Sequence, residues 1–385
     1  MAVNLTNADK ALKTYYLDAV AEELDCSSPL LSMIKKSTEN VWGKEVKKLI
    51  RYGLNGGIGA GSEETLPKAY GNKYQEFILT LKNLYGSIEI SDKAIRASAN
   101  SSGAFINLLD AEADGLVKSG AYNLNRMLFG DGSGKLATAS AFEDGVLAVD
   151  DMSLFREGMT VEVRNSDGTV VSGLEAIRVE RIDENLGGVV VSGYGDVGSD
   201  FAGGVVCVQG SFGAEITGLS AIFEGDTLYG VDLTENAWLK PKVKTASKDF
   251  SENDILEMLD TIDERGGKPD VIVCSYGVRR KLYALLSKNR SAVNTVELNG
   301  GYKALTFNGI PVIADRFCPK GYMYILNSKD FEFCQLCDWQ WLEGEKGEIL
   351  HQVPGKPVYS ATLVKYAELL CEKPFSQGLI KGIAE

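Results

Sequence analysis

The sequence predicts an α+β protein, and two neighbouring stretches carry this prediction. Residues 46–52 and 74–85 have the pattern of two limbs of a long β-hairpin, with apolar residues at every second position of the second limb. Residues 103–129 then place apolar side chains at the three- and four-residue spacing of an amphipathic helix. The chain therefore combines a hairpin with a long helix within its first third.

A glycine-rich tip separates the two limbs of the predicted hairpin. It contains Gly56, Gly57, Gly59 and Gly61, and glycine takes backbone angles that other residues resist, so the tip can adapt to a partner surface. Neither limb carries enough apolar residues to be buried within its own subunit, and an isolated hairpin is marginal in water. We therefore expect a neighbouring copy of the protein to cover the hairpin. A mobile surface loop is the simpler alternative.

The predicted helix has clear start and stop signals. Ser102 is a suitable N-cap, and the glycine-rich residues 130–134 end the helix. At 1.5 Å per residue it is roughly 40 Å long. Gly115 and Gly120 each cost roughly 1 kcal/mol against alanine, which suggests close contact with another backbone. The apolar face comprises Phe105, Leu108, Leu109, Ala113, Leu116, Val117, Gly120, Leu124, Met127 and Leu128. An ordinary core helix is the alternative.

Composition narrows the class of protein. The 385 residues are 44% hydrophobic, which is enough for two or three domains with real cores. The net charge of −13 argues against a protein that wraps nucleic acid directly, although it permits a container whose inner wall does not retain its contents. The N-terminus lacks signal-peptide features, and no apolar run approaches the roughly 20 residues of a membrane span. We expect assembly in a cytosol.

No pattern in the sequence indicates an enzyme, a cofactor or a metal site. The chain has a single histidine, which removes most catalytic triads and proton shuttles. Cys334 and Cys337 have redox or zinc spacing, but His351 offers at most one of the two further ligands that zinc needs. We expect the seven cysteines to be free and mostly buried. Residues 130–135 resemble a phosphate-binding loop but are one residue too short.

The rest of the chain contains a β-rich region and a mixed α/β region. Residues 146–212 contain short alternating strands separated by glycine turns, which is typical of a small β-barrel or sandwich inserted as a module. Residues 252–350 read as α/β, and residues 359–371 read as a long strand. Within the α/β region, Arg279, Arg280 and Lys281 form a basic stripe on a helix. That stripe is expected to face solvent, a neighbouring subunit or an enclosed nucleic acid.

The order of elements resembles that of the major capsid proteins of tailed bacteriophages, with the Hong Kong 97-type fold. The resemblance also rests on local stretches, namely residues 123–134 (NLNRMLFGDGSG), 228–230 with 238–241, 308–312, and 359–366 with 371–374. It covers nearly the whole chain, and no single stretch is diagnostic by itself. The resemblance implies an N-terminal arm (1–41), an extended loop (43–92), a peripheral domain (93–145, 213–251 and 351–385) with a spine helix (103–129), an inserted module (146–212) and an axial domain (252–350).

The resemblance also implies a function. Subunits would assemble as hexamers and pentamers into an icosahedral shell around double-stranded DNA, without sequence-specific contact, in the cytoplasm of a bacterial host. A portal and a separate scaffolding protein would take part, and a decoration protein is compatible with this arrangement. The extended loop would lie across the neighbouring subunit through its glycines and through charged contacts. Candidates for those contacts are Arg51, Glu63, Glu64 and Lys68.

Two alternatives remain open at this point. A bacterial nanocompartment shell of the encapsulin type would share the fold and enclose enzymes, but the inserted module and the arm before the hairpin favour the virus. A β-rich phage tail or adhesin protein would lack the spine helix. Some family members cross-link a loop lysine to a neighbour's asparagine, and Lys68 has a suitable position, but we expect non-covalent assembly.

Overall fold

The structure is a computed structural model. It describes residues 29–39, 41–53, 55–60, 66–93, 102–198, 201, 203–247, 250–289, 295–298, 302–344 and 347–385. The predicted arm (1–41) lies outside the described residues up to position 28. Among the described helices, none combines the length and the apolarity that a membrane crossing requires.

The first part of the chain forms the predicted hairpin, here called the finger (residues 45–80). A three-stranded sheet contains β2 (Val41–Trp42), β3 (Glu45–Tyr52) and β4 (Lys73–Thr80), after a short β1 (Lys35–Ser37). The predicted returning limb of residues 74–85 is not continuous. It breaks at Leu81, whose N–H donates to the Lys44 carbonyl, and β5 (Lys82–Ser91) then pairs with a different sheet.

The predicted spine helix is present as α1 (Ser102–Phe129). Side chains from Glu112 onward are described, apart from residue 114, and Val117, Leu124 and Leu128 are buried as the spacing predicts. Gly86 of β5 is so close to α1 that a Cβ there would lie 2.8 Å from Leu116. Gly115 instead faces open space. The predicted close backbone approach at Gly115 is therefore wrong within one chain.

A closed six-stranded barrel follows α1. Its strands are β6 (Lys135–Glu143), β7 (Val146–Val149), β8 (Thr160–Arg164), β9 (Ile177–Asp183), β10 (Gly188–Ser192) and β11 (Gly204–Val208). Its interior is an independent apolar cluster that includes Leu147, Phe155 and Val161. The barrel starts earlier than the predicted module of residues 146–212, because β6 pairs with both β7 and β11 and closes the circle.

The axial region is built on a seven-stranded sheet with the order β14-β23-β19-β15-β18-β17-β16. These strands are β14 (Lys242–Thr245), β15 (Val271–Cys274), β16 (Thr295–Leu298), β17 (Tyr302–Phe307), β18 (Ile310–Ala314), β19 (Met323–Leu326) and β23 (Gly378–Lys381). Helices α3 (Glu252–Glu264) and α4 (Tyr276–Asn289) share one apolar cluster with this sheet. Strands β14 and β23 come from segments predicted to be peripheral. They instead belong to this axial sheet, where they pair in parallel with each other and β23 pairs with β19.

A five-stranded sheet forms the other main layer. It joins β1, β20 (Phe331–Trp341), β22 (Val358–Cys371), β21 (His351–Gln352) and β5, with β22 at its centre. β20 was expected in the axial region, but it pairs antiparallel with β22 over most of its length. This sheet, α1 and the short elements α2 (Leu219–Glu224), β12 (Thr227–Leu228) and β13 (Val231–Asp232) share one large core.

Candidate subunit interface

The base of the finger is buried against its own chain. Val46, Ile50, Phe77 and Leu79 all belong to the large core, and Phe77 is fully buried. The Phe77 ring lies 5.3 Å from that of Tyr229, and the Ile78 N–H donates to the Tyr229 carbonyl at 3.0 Å. The expectation that neither limb can be buried at home is therefore wrong for the base, because the segment around Tyr229 covers its inner face.

Lys48 fixes the finger to the five-stranded sheet. Its Nζ lies 2.8 Å from a carboxylate oxygen of Glu332 on β20 and 2.7 Å from one of Glu372, just beyond β22. Burial lowers the pKa of Lys48, but the hydrogen bonds and charges of both carboxylates outweigh this effect, and the pKa lies well above its usual range. A second contact stacks the Tyr52 ring on that of Trp238, 3.9 Å between centroids. These contacts fix the orientation of the finger relative to the rest of its own subunit.

The tip of the finger, by contrast, exposes apolar side chains. Ile58 is 91% exposed and Leu66 is 92% exposed. On the outward face of the strands, Leu49 and Ile78 are also exposed, beside Tyr74. Large exposed apolar patches mark interaction sites, which makes the finger a candidate contact surface.

The predicted interface residues occupy this tip in part. Gly56 and Gly59 are exposed, and Gly57 is half-buried, with its N–H donating to Asn55 Oδ1 at 2.9 Å. Arg51 and Lys68 are exposed, and neither forms an ion pair with another described residue. Gly61, Glu63 and Glu64 lie outside the described residues. Ile58 and Leu66 were not among the predicted contact residues, although two apolar residues in a polar loop are a signal that the sequence offers.

A cleft lies beside the root of the finger, where α1, β5 and the exit of the barrel meet. Its volume is about 210 Å³. Leu84 and Gly86 of β5, Leu124 of α1, and Trp339 and Leu363 of the five-stranded sheet line it. The cleft is mainly apolar and lies where three parts of the molecule meet.

Two buried carboxylates, those of Glu215 and Glu368, connect the segment that leaves the barrel to α1 and β22. Arg126, near the end of α1, donates through two nitrogens to Glu215, and both side chains are buried. Glu368 of β22 accepts from the Thr217 N–H at 2.6 Å. Burial raises the pKa of Glu368 to about 7, and the hydrogen bonds that it accepts reduce this effect only in part. The segment of residues 215–217 is therefore fixed on both sides.

The predicted basic stripe on α4 divides into two parts. Arg279 and Arg280 are exposed, and the Arg279 guanidinium lies 5.4 Å above the ring of Tyr276. Lys281 instead donates to the Ala384 carbonyl at 2.9 Å and is half-buried against the C-terminal residues. Only the two arginines are thus available to a partner.

No cluster of potential metal ligands occurs among the described residues. Cys334 is buried and Cys337 is half-buried, and both thiols are free on β20. The pKa of Cys334 is raised to about 12 by burial, so this thiol is neither a ready nucleophile nor a ready metal ligand.

Comparison with protein families gives one match. Residues 214–347 match the model of the SU10 major capsid protein family. This stretch runs from the barrel exit through the axial region to the end of β20. No curated protein sequence matches.

Solved structures are similar to this chain over more of its length. The capsid asymmetric unit of cyanophage A-1(L) has a TM-score of 0.56 at 13% identity, covering 93% of each chain. The capsid of a native GTA particle gives 0.49 at 11% identity, covering 93% of this chain and 91% of the other. The SrpI encapsulin of Synechococcus elongatus PCC 7942 gives 0.47 at 9% identity, with 92% and 88% covered. The first of these likenesses confirms the predicted Hong Kong 97-type fold.

Proposed function

We propose that this chain, a tailed-bacteriophage major capsid protein with the Hong Kong 97-type fold, builds its shell by laying the finger of each subunit across the next one. One observation carries the proposal: the finger has a base fixed to its own chain and a tip that exposes Ile58 and Leu66 almost completely. A fixed base and an apolar tip are what a subunit needs to present a contact to a neighbour.

The tip cannot return to its own base without refolding. β3 and β4 have eight residues each, and at 3.4 Å per residue the tip begins roughly 27 Å from the root. The register of the two strands is regular from Glu45 paired with Thr80 to Tyr52 paired with Lys73. In this proposal, another copy of the chain covers the apolar tip.

The energy of each contact is modest, and repetition makes the shell stable. Burying one Ile or Leu side chain is worth about 1.5–3 kcal/mol, and an exposed ion pair about 0–1 kcal/mol. Closed symmetry links every contact to the others, so loss of one subunit breaks several contacts at once. Arg51, Gly56, Gly57, Gly59, Gly61, Glu63, Glu64 and Lys68 belong to this proposed contact.

The wider assembly follows from the same proposal. Hexamers and pentamers form the shell in the bacterial cytoplasm with a portal and a separate scaffolding protein, and the finished virion encloses double-stranded DNA without sequence-specific contact. The net charge of −13 is consistent with a wall that does not hold its contents tightly. The exposed barrel surface offers room for a decoration protein. No catalytic step is part of this function.

A nanocompartment shell is the second candidate, because encapsulins share the fold. The match of residues 214–347 to a phage capsid family supports the viral assignment. Negative-stain microscopy of the purified protein separates the candidates. Large shells fit a capsid, small shells that contain enzymes fit a nanocompartment, and trimers or tubes fit a tail or adhesin protein.

The role of the tip is tested by Ile58→Asp combined with Leu66→Asp. We expect a folded subunit with an unchanged melting temperature that fails to form stable shells. Leu186→Asp is the matched control, because Leu186 is 53% exposed on a barrel turn, and it should assemble normally. Deletion of residues 56–61 should behave like the double variant. Normal shells from both tip variants would refute the proposed contact.

A further inference from the structure

Helices α3 and α4 each carry exposed charged residues at an end where the helix dipole has the same sign as those charges. The last turns of α3 contain Asp260, Asp263 and Glu264, all exposed, and no basic residue lies in its last turn. The first turns of α4 contain the exposed Arg279 and Arg280, with no acidic residue in the first turn. Negative charge is unfavourable at a helix C-terminus and positive charge at an N-terminus.

Two further carboxylates of α3, nearer its N-terminus, are paired within the chain. On α3, Asp254 and Glu257 bind Lys244 at 2.9 and 2.7 Å. Beyond α3, Arg265 donates to the carbonyls of Lys240 and Phe375. Among the described residues, the carboxylates of Asp260, Asp263 and Glu264 have no ion pair. We call these three residues the acidic end.

The N-terminus of α4 shows the same division. Glu385 contacts its inner flank, where Ser275 donates to the Glu385 carboxylate and Gly277 leaves space for it. Lys281 lies on that same flank. The outer flank bears Tyr276, Arg279, Arg280 and Tyr283, and both tyrosines are about half exposed. We call these four residues the tyrosine–arginine face.

The acidic end and the tyrosine–arginine face cannot meet within one chain. α3 ends just before β15 begins, whereas α4 starts just after β15 ends, so the two charged ends lie at opposite ends of the same strand. α3 and α4 thus run in the same direction, and each is roughly 20 Å long at 1.5 Å per residue. Two complementary surfaces at opposite ends of one layer allow a head-to-tail contact between copies, and such contacts form a ring where the rotation from one copy to the next closes.

We propose that the acidic end of one subunit binds the tyrosine–arginine face of the next subunit in a ring of the shell. The inference rests on the proposed shell function and adds the surfaces through which axial regions meet. The two helix dipoles reinforce the contact between copies, because a negative C-terminus faces a positive N-terminus. The charge that weakens each helix alone strengthens the joined pair.

Charge reversal followed by charge exchange tests the contact. Arg279→Glu with Arg280→Glu, or Asp263→Lys with Glu264→Lys, should reduce shell yield at least about tenfold through like-charge repulsion. The variant with all four changes should recover wild-type yield to within about twofold, since it exchanges the two signs. The matched control is Arg178→Glu with Arg181→Glu on the barrel, which changes the net charge equally on exposed residues and should assemble normally.

A second measurement separates the contact from a merely structural role. Asp263→Asn with Glu264→Gln removes charge that opposes the α3 dipole, so the isolated subunit should melt at the same or a higher temperature while shell yield falls. Higher ionic strength should weaken wild-type rings and leave the neutral variant less affected.

The outcomes separate this inference from the proposed function. Wild-type subunits that remain monomeric contradict both. Wild-type shells together with normal shells from both charge-reversed variants overturn only the axial contact. Normal shells from Arg279→Glu with Arg280→Glu that enclose less DNA would assign the tyrosine–arginine face to nucleic acid and would also overturn it.

Discussion

The carboxylate of Glu368 accepts a hydrogen bond from the Thr217 backbone N–H at 2.6 Å while the side chain is 2% exposed. This contact connects the central strand β22 to the segment that leaves the barrel. Burial raises the pKa of Glu368 to about 7, above its ordinary value of 4.5. The folded state therefore binds a proton more readily here than the unfolded state does.

The first prediction concerns pH. Because the folded pKa is raised, the contribution of Glu368 to stability is greatest below pH 4.5 and is lost as pH rises toward about 7. Glu368→Gln keeps an acceptor for Thr217 and removes the charge. We expect it to raise the free energy of unfolding at pH 8 by about 1–3 kcal/mol and to have little effect at pH 4.5. Urea unfolding at both pH values measures this.

Glu332 supplies the opposite control for that experiment. Burial raises its pKa, but hydrogen bonds from Lys48 and Ser37 and nearby positive charge outweigh burial, so the pKa lies below its ordinary value. Its stabilising contribution is present above pH 4.5 and is lost as pH falls through the folded pKa. Glu332→Gln should therefore destabilise the subunit at pH 8. Equal effects of both substitutions at pH 8 would contradict the interpretation of Glu368.

The second prediction concerns the attachment of the finger. Lys48→Met leaves the carboxylates of Glu332 and Glu372 without their shared cation, and we expect a loss of about 1–3 kcal/mol in unfolding free energy. Lys47→Met is the matched control, because Lys47 is exposed and its nitrogen lies 3.9 Å from Glu45. It should change stability by less than about 0.5 kcal/mol. If both variants unfold alike, Lys48 does not fix the finger.

The third prediction concerns the approach of β5 to α1. Gly86→Ala places a Cβ 2.8 Å from the end of the Leu116 side chain, so that side chain or the strand must shift, and we expect a destabilisation of about 1–3 kcal/mol. Gly71→Ala is the control, because a Cβ there meets nothing within 4 Å. Thermal melting of the isolated subunits compares the two. A neutral Gly86→Ala would mean that α1 and β5 are not tightly packed at this point.

The fourth prediction concerns the buried pair of Arg126 and Glu215. Arg126→Met leaves the Glu215 carboxylate buried without its partner and should cost about 3–5 kcal/mol. Adding Glu215→Leu removes the remaining buried charge and should restore much of the loss. A double-mutant cycle in urea measures the coupling. If the double variant is no better than Arg126→Met alone, packing rather than charge holds the junction.

Local patterns in the sequence predicted the local elements well. The helix of residues 103–129 and the strand of residues 359–371 correspond to α1 and β22, because both have sustained spacing over many residues. The Hong Kong 97-type fold of the tailed-phage capsid proteins is likewise confirmed, and residues 214–347 match the SU10 major capsid protein family. The prediction of this fold rested on the order of these elements along the chain.

Contacts between distant segments were beyond the sequence. Lys48 and Glu332 are 284 residues apart, and nothing near either residue indicates the other. The break at Leu81 has the same origin, because the alternation continues through it while the pairing partner changes from β3 to β22. The burial of Phe77 depends on Tyr229, which is also far along the chain. The spacing of apolar residues thus predicted which face of an element is buried, but not which distant segment covers that face.

The entry and exit of the barrel lie side by side, since the Gly213 N–H donates to the Ser133 carbonyl at 2.8 Å. Every barrel strand therefore comes from one contiguous stretch of chain. During synthesis this unit can fold as soon as it leaves the ribosome. The five-stranded sheet must instead wait for segments made much later, because β1 pairs with β20 and β5 pairs with β22. The nascent subunit thus spends its synthesis with a finished barrel beside an incomplete, aggregation-prone sheet, the stage at which a chaperone would be needed most.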